Sequence, residues 1–252
     1  MTPDSFSDGG VYFKREKAVR AALEMIKNGA DFIDIGGESS RPGADPVSED
    51  EEMRRIIPVI EEILEINPEA IISVDTYKSN VADKALSCGA SIINDISGGR
   101  LDPEIMDVIS EYRATYILMH SRSVPKDMQV YTNYENLIGE IKISLDQRIE
   151  IAKSHNINQI IIDPGIGFAK TTDQNYEILK RLHEFATFEY PILIGLSRKS
   201  FIGNSLNLDI DKRDFASSIL ETIALFNGAR IIRTHNVNNY LTVKKIFTQI
   251  YK

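Results

Sequence analysis

The chain has 252 residues, 42% hydrophobic and 26% charged, and no Pro/Ser-rich linker or low-complexity tract divides it, so a single large domain is expected. A formal net charge of −8 argues against a surface that tracks nucleic-acid phosphates, and no apolar run approaches the ~20 residues that cross a bilayer. The lone cysteine, Cys88, excludes an internal disulfide and a Cys-based zinc cluster. In its helical pattern with Ala82, Ala85 and Leu86 it reads as a small core residue, and the expected location is the cytoplasm, with no nucleic-acid or membrane partner.

The opening MTPDSFSDGG is a run of turn formers around one large apolar group, Phe6, and reads as a working loop rather than a signal peptide. A helical pattern follows near 14–28, then an apolar run at 32–36 that predicts a strand. The segment 37–47 is a long loop rich in Gly, Ser and Pro. Ser48-Glu-Asp-Glu51 is a capping box opening a helix to about Ile66, within which Pro58 should bend the helix or mark its boundary. From there strands at 71–75, 91–95, 115–119, 159–163, 192–195 and 230–233 alternate with helices near 78–88, 102–112, 134–155, 171–188, 212–227 and 237–250. A second capping box, Thr171-Thr-Asp-Gln174, opens the helix at 171.

The strand runs are almost continuously apolar, as strands covered on both faces of a parallel sheet are. No G-x-G-x-x-G follows the first of them, so a closed (β/α)8 TIM barrel is preferred to an open doubly wound sheet. Eight helices against seven strands leave the barrel one strand short. The expected missing strand, the first, would lie immediately before residue 1.

Most strand candidates end in a polar residue: Asp34, Asp75, Asn94 with Asp95, His120, Asp163, then Ser197-Arg-Lys-Ser200 and Arg233-Thr-His235. In a barrel these ends converge on one mouth. Any one Asp or Asn there could equally cap the next helix, but the whole set is less readily explained as caps. Arg198, Lys199, Arg233 and His235 follow the last two strands, the usual place for a phosphate group. Arg41 is either a lid residue closing on that anion or a solvated loop charge. Asp75 and Asp163, with Asn94 between them, suit a flat heterocycle whose adjacent N–H donors meet a carboxylate, Lys199 or Asn94 taking its ring oxygen; the alternative is an internal salt bridge between Lys199 and a carboxylate. His120 has no second His or Cys at metal spacing and reads as a rim or packing residue.

In order along the chain, TPDSFSDGG (2–10), IDIGGESSRPGA (33–44), ISVDTYK (72–78), INDISGG (93–99), IIIDPGIGFAK (160–170), PILIGLSRKSFIG (191–203) and IIRTH (231–235) resemble the dihydropteroate synthase family. The resemblance implies a folate-biosynthesis transferase that joins (7,8-dihydropterin-6-yl)methyl diphosphate to 4-aminobenzoate by a dissociative route, works with magnesium and forms a homodimer. Carried onto matching positions, it makes Asp75, Asn94, Asp163 and Lys199 the pterin-holding groups. Ser40, Arg41, Arg233, Thr234 and His235 become the diphosphate set, and Phe6, Pro42, Phe168 and Ser200 the aminobenzoate pocket. It makes Asp8, Arg41, Asp75, Asp163 and Lys199 the catalytic group, with a helix from Ser197 lending N–H donors. The family's magnesium-binding Asn would precede Met1, so no metal ligand is assigned within the chain. Ser40, Ser121, Ala169 and Asn236 stand where the family commonly has Thr, Met, Gly and Asp; the extra methyl of Ala169 is expected to alter affinity for aminobenzoate or sulfonamide mimics.

Overall fold

In the computed structural model, residues 11–41 and 43–251 are described. Phe6 and Asp8 in the opening loop, Pro42, and the strand expected before residue 1 lie outside them. Helices and strands alternate as α1 (Val11–Lys27), β1 (Ile33–Gly36), α2 (Glu49–Ile66), β2 (Ile72–Asp75), α3 (Ser79–Ser87), β3 (Ile92–Asp95), α4 (Ile105–Tyr112), β4 (Thr115–Met119) and α5 (Leu137–Ser154). Then come β5 (Ile160–Asp163), α6 (Thr172–Lys180), β6 (Leu193–Gly195), α7 (Ser200–Leu206), α8 (Asp214–Phe226), β7 (Ile231–Arg233) and α9 (Val237–Ile250).

β1 to β5 pair in parallel in chain order, β6 pairs in parallel with β7, and an Ile162–Ile192 bridge carries the wall from β5 toward β6. Seven parallel strands in sequence order, each followed by helix, make the (β/α) barrel that the apolar runs predicted. Their register puts Asp75 beside Asn94 and Met119 beside Asp163, so these polar groups stand at the C-terminal ends of their strands. Alternation along a strand then sorts neighbours: Asn94 meets Asp34 across the mouth, whereas Asp95 turns to its own loop and accepts from Ser97 N, Gly99 N and Tyr116 Oη. Asp95 is therefore spent on its own loop without capping α4, whose N-cap is Glu104, while Asn94 faces the mouth.

The helices hold their places through buried stripes. α2 buries Ile56, Val59, Ile60 and Ile63 at helical spacing against the sheet, and trimming Ile60 to Ala would cost about 2–5 kcal/mol. α2 runs on past Pro58, which therefore marks no boundary, and of its capping box only the Ser48 arm forms, because Glu51 is taken by Arg54 and Arg55. The segment 171–188 is an α-helix to Lys180 followed by a 3-10 turn over Leu182–Phe188, although its Thr171/Gln174 box is complete. Cys88 is half-buried at the C-cap of α3, its Sγ 3.8 Å from Glu61, so it is not a core residue. The described residues form nine α-helices rather than eight; α7 is the extra one, and it starts at Ser200, not Ser197.

Candidate active site

Five strand ends and one loop meet at the barrel mouth. Arg233, closing β7, reaches across to β1 and β2: Nε stands 2.7 Å from Asp34 Oδ2, and Nη2 donates to Asp75 Oδ2 at 2.7 Å. Asp34 also accepts from Ser73 Oγ at 2.7 Å and from Asn94 Nδ2 at 3.1 Å. Burial pushes the Asp34 carboxyl up, but Arg233 and these two donors outweigh it and hold it below the ordinary carboxylate range. Asp75 has fewer donors. Burial lifts it to about 6 against the pull of Arg233, and the neighbouring Asp34 charge adds to the rise. One guanidinium between two carboxylates keeps the first ionised and leaves the second ready to take a proton near neutral pH.

Asp163, at the end of β5, accepts from Gly165 N at 2.7 Å, and burial raises its pKa against the opposing charge of Lys199. Lys199 itself donates to the Ile166 carbonyl and lies 5.0 Å from the centre of the Phe168 ring. Among the described residues it forms no ion pair with a carboxylate, so the salt-bridge alternative is not what the structure holds. Burial takes its ammonium down to about 8, with Asp163 pulling the other way.

The segment 163–170 wraps this corner. Gly165 has φ +74°, and a Cβ there would run into the His120 carbonyl, so only glycine lets the two chains pass. Lys170 staples the turn by donating to Gly165 O and Phe168 O, both at 2.9 Å, and faces His120 Nδ1 at 3.1 Å. Burial and the Lys170 charge hold His120 well below its usual pKa, which fits the packing role expected of it. Phe168 packs with Ile96, Met119, Met128 and Ala169, and Ala169 takes a left-handed φ of 49°, a region that favours glycine.

The residues assigned to the anion are more scattered. Ser40 lines a small cleft together with Asp75, Tyr77 and Glu52. Arg41, Ser200 and His235 lie exposed, and Thr234 is half-buried, its Oγ1 accepting from Asn236 N at 3.3 Å. Arg233 is committed to Asp34 and Asp75 rather than turned toward these groups. Arg198 leaves the cationic cluster altogether: it pairs twice with Asp214, at 2.6 and 2.8 Å, where Asn236 also donates to that carboxylate at 3.1 Å. Asn236 is tied into α9 as well, its side chain capping Asn239 N.

Three residues matter more here than the sequence indicated. Asp34 was visible as one polar strand end among several, and it proves to be the hub joining Asn94 and Arg233. Lys78 and Lys170 close two of the quoted motifs, ISVDTYK and IIIDPGIGFAK, with no role given to either, yet both are buried. Among the described residues no three His, Cys, Asp or Glu side chains stand together in a way that could hold a metal ion. No described helix is long and apolar enough to cross a membrane.

A family model described as "Pterin binding enzyme" matches residues 1–235. A curated relative named dihydropteroate synthase, from Bacillus subtilis, is 44% identical over 248 residues, 98% of this chain and 84% of the relative. Among solved structures, a dihydropteroate synthase from Clostridium difficile, determined in the presence of pteroic acid, superposes with a TM-score of 0.93 at 40% identity, covering 99% of this chain and 93% of that one. Another, from Xanthomonas albilineans with 4-aminobenzoic acid, gives a TM-score of 0.92 at 36% identity, covering 99% and 90%.

Proposed function

This chain belongs to the pterin-binding enzyme family, among the dihydropteroate synthases, and from that premise we propose how its mouth divides the work. The reaction is the folate-biosynthesis transfer that condenses (7,8-dihydropterin-6-yl)methyl diphosphate with 4-aminobenzoate to give 7,8-dihydropteroate and diphosphate. In this reading Asp75, Asn94, Asp163 and Lys199 hold the pterin. The carboxylates accept from ring N–H and amino groups in a buried site where such bonds are strong. Asp75 and Asp163, buried at the wall, favour positive charge on the pterin methylene as its bond to oxygen lengthens, with Arg233, Lys199 and Lys170 as their counter-charges.

Ser40, Arg41, Thr234 and His235 meet the departing diphosphate from the rim, and Arg233 lies between the two groups. Phe168 and Ser200 border the incoming arylamine, whose nitrogen attacks the methylene once its bond to diphosphate has broken. The amine's proton goes to solvent or to diphosphate, and no covalent enzyme intermediate is needed. Magnesium, if bound, would neutralise diphosphate charge, and no step here runs through it.

The observation that carries this reading is that Asp75, Asn94 and Asp163 stand at the C-terminal ends of their strands, with both carboxyls buried, held above their ordinary range and facing Lys199 and Arg233. Product formation by Asn94→Ala tests it: the rate should fall at least about a hundredfold. An unchanged rate would contradict it. The chain also acts as a homodimer in this proposal. Phe215, Ile219, Ile223 and Phe226 form one exposed apolar stripe on α8, with Phe215 77% exposed, as a helix awaiting a second copy would show. Light scattering should give twice the chain mass for the native protein and the single mass for Phe215→Asp.

A further inference from the structure

We propose that Lys78 is a positioning residue for the condensation: it clips both ends of the loop 37–47 to the barrel wall, so that Ser40 and Arg41 stand over the mouth. Lys78 is 8% exposed, and its ammonium is the centre of a buried cluster. Nζ donates to Glu38 Oε2 at 2.6 Å, to Glu52 Oε2 at 2.5 Å and to the Val47 carbonyl at 2.6 Å. Glu38 Oε2 in turn accepts from Val47 N at 2.9 Å, and Glu38 Oε1 accepts from Tyr77 Oη at 3.1 Å. Both polar groups of the Val47 backbone are thus bound to the residues that fix Glu38, and the loop leaves and rejoins the wall at one point.

The stem is built for that contact. A Cβ on Gly37 would stand 2.7 Å from Glu52 Cγ, and Arg55 Nη1 donates to Gly37 O at 2.9 Å, so backbone and helix α2 are pressed together where the loop begins. Above the stem, among the described residues, Gly43 N donates to Pro125 O at 3.0 Å, and an exposed Lys126–Asp45 pair spans 2.9 Å. Exposed pairs contribute little, whereas one ammonium shared by two buried carboxylates has a narrow set of allowed positions. The arrangement fixes where the loop is rooted.

This inference rests on the assignment of Ser40 and Arg41 to the reaction, since a clip matters to turnover only if the loop does. Arg41→Ala tests that assignment separately. The variants for the clip are Lys78→Met and, because a lone deletion strands two buried carboxylates, the triple change Glu38→Gln, Glu52→Gln, Lys78→Met, which leaves no charge behind. In folded variants, hydrogen exchange at the amides of 43, 44 and 47 should speed up at least about tenfold while α2 and β2 keep their protection. The kcat/KM for 4-aminobenzoate should drop at least about tenfold, while the Kd for a 6-hydroxymethyl pterin without diphosphate moves less than about twofold. Lys78→Arg, which keeps the charge, should recover part of the rate. Equal loss of pterin affinity and rate, or faster exchange across α2 and β2, would make Lys78 a general structural residue and overturn the proposal. Normal turnover in the Lys78 variants while Arg41→Ala is impaired would overturn it alone; normal turnover in Arg41→Ala would instead overturn the loop assignment beneath it.

Discussion

The two halves of the mouth are held by different physics. On the strand half, Asp34, Asp75, Asn94 and Arg233 owe their positions to parallel register, and each is locked by a partner from another strand within 3.1 Å. On the loop half, Ser40 and Arg41 ride on a segment without regular structure, rooted through Lys78. A heterocycle recognised by fixed donors suits the first; an anion that must arrive, lose its bond and depart suits the second. The contrast says that affinity for the pterin is set by the sheet and that turnover depends in addition on the loop.

Breaking the strand half should have the largest effect. Asp163→Asn keeps an oxygen for Gly165 N but removes the charge facing Lys199, and steady-state assays should show a rate at least about a hundredfold lower. Gly165→Ala attacks the same corner through the backbone: a side chain at φ +74° against the His120 carbonyl should cost about 3 kcal/mol or more of stability, read as a fall in Tm. Arg41→Ala tests the other half, with turnover falling about tenfold and the Tm unchanged, because the residue is exposed.

Acid sharpens the contrast further. With Asp75 raised to about 6, its carboxylate is lost as pH falls through 6, and binding of a diphosphate-free pterin should weaken about tenfold per unit below that, as followed by calorimetry. The same shift has the opposite sign for folding: the native carboxyl binds its proton more tightly than an unfolded one, so this group lowers stability as pH rises from about 4 to 6. The smallest effect belongs to Ala169→Gly. Relief of the left-handed φ and the greater freedom of unfolded glycine oppose each other, and the net change in stability should stay within about 1 kcal/mol. Its sulfonamide inhibition constant should nonetheless shift, since the lost methyl lies against Phe168.

Much of the strand half could be read from the chain. Near-continuous isoleucine runs ending in Asp or Asn place polar groups at the C-terminal side of parallel strands, and the barrel rule gathers them. Partner choice could not be read. Arg233 meets Asp75 across 158 positions, and Lys78 meets Glu38 across 40, so both pairs depend on tertiary register rather than on spacing. Arg198 and Arg233 looked alike as cations after strands; only the approach of Asp214 from the start of α8 takes the first away from the mouth. Ala169 was visible as a departure from glycine, and its cost in φ became visible only with the backbone in place. Helix α7 has too few residues, seven, for a clear apolar period, so only the resemblance places a helix there, three residues early.

The division between sheet and loop is tested most directly by calorimetry with a 6-hydroxymethyl pterin lacking diphosphate, run in parallel on Asp163→Asn and Arg41→Ala. The account predicts at least about a tenfold loss of affinity in the first and less than about a twofold change in the second. Unaltered binding in Asp163→Asn, or a loss in Arg41→Ala as large as in Asp163→Asn, would contradict it.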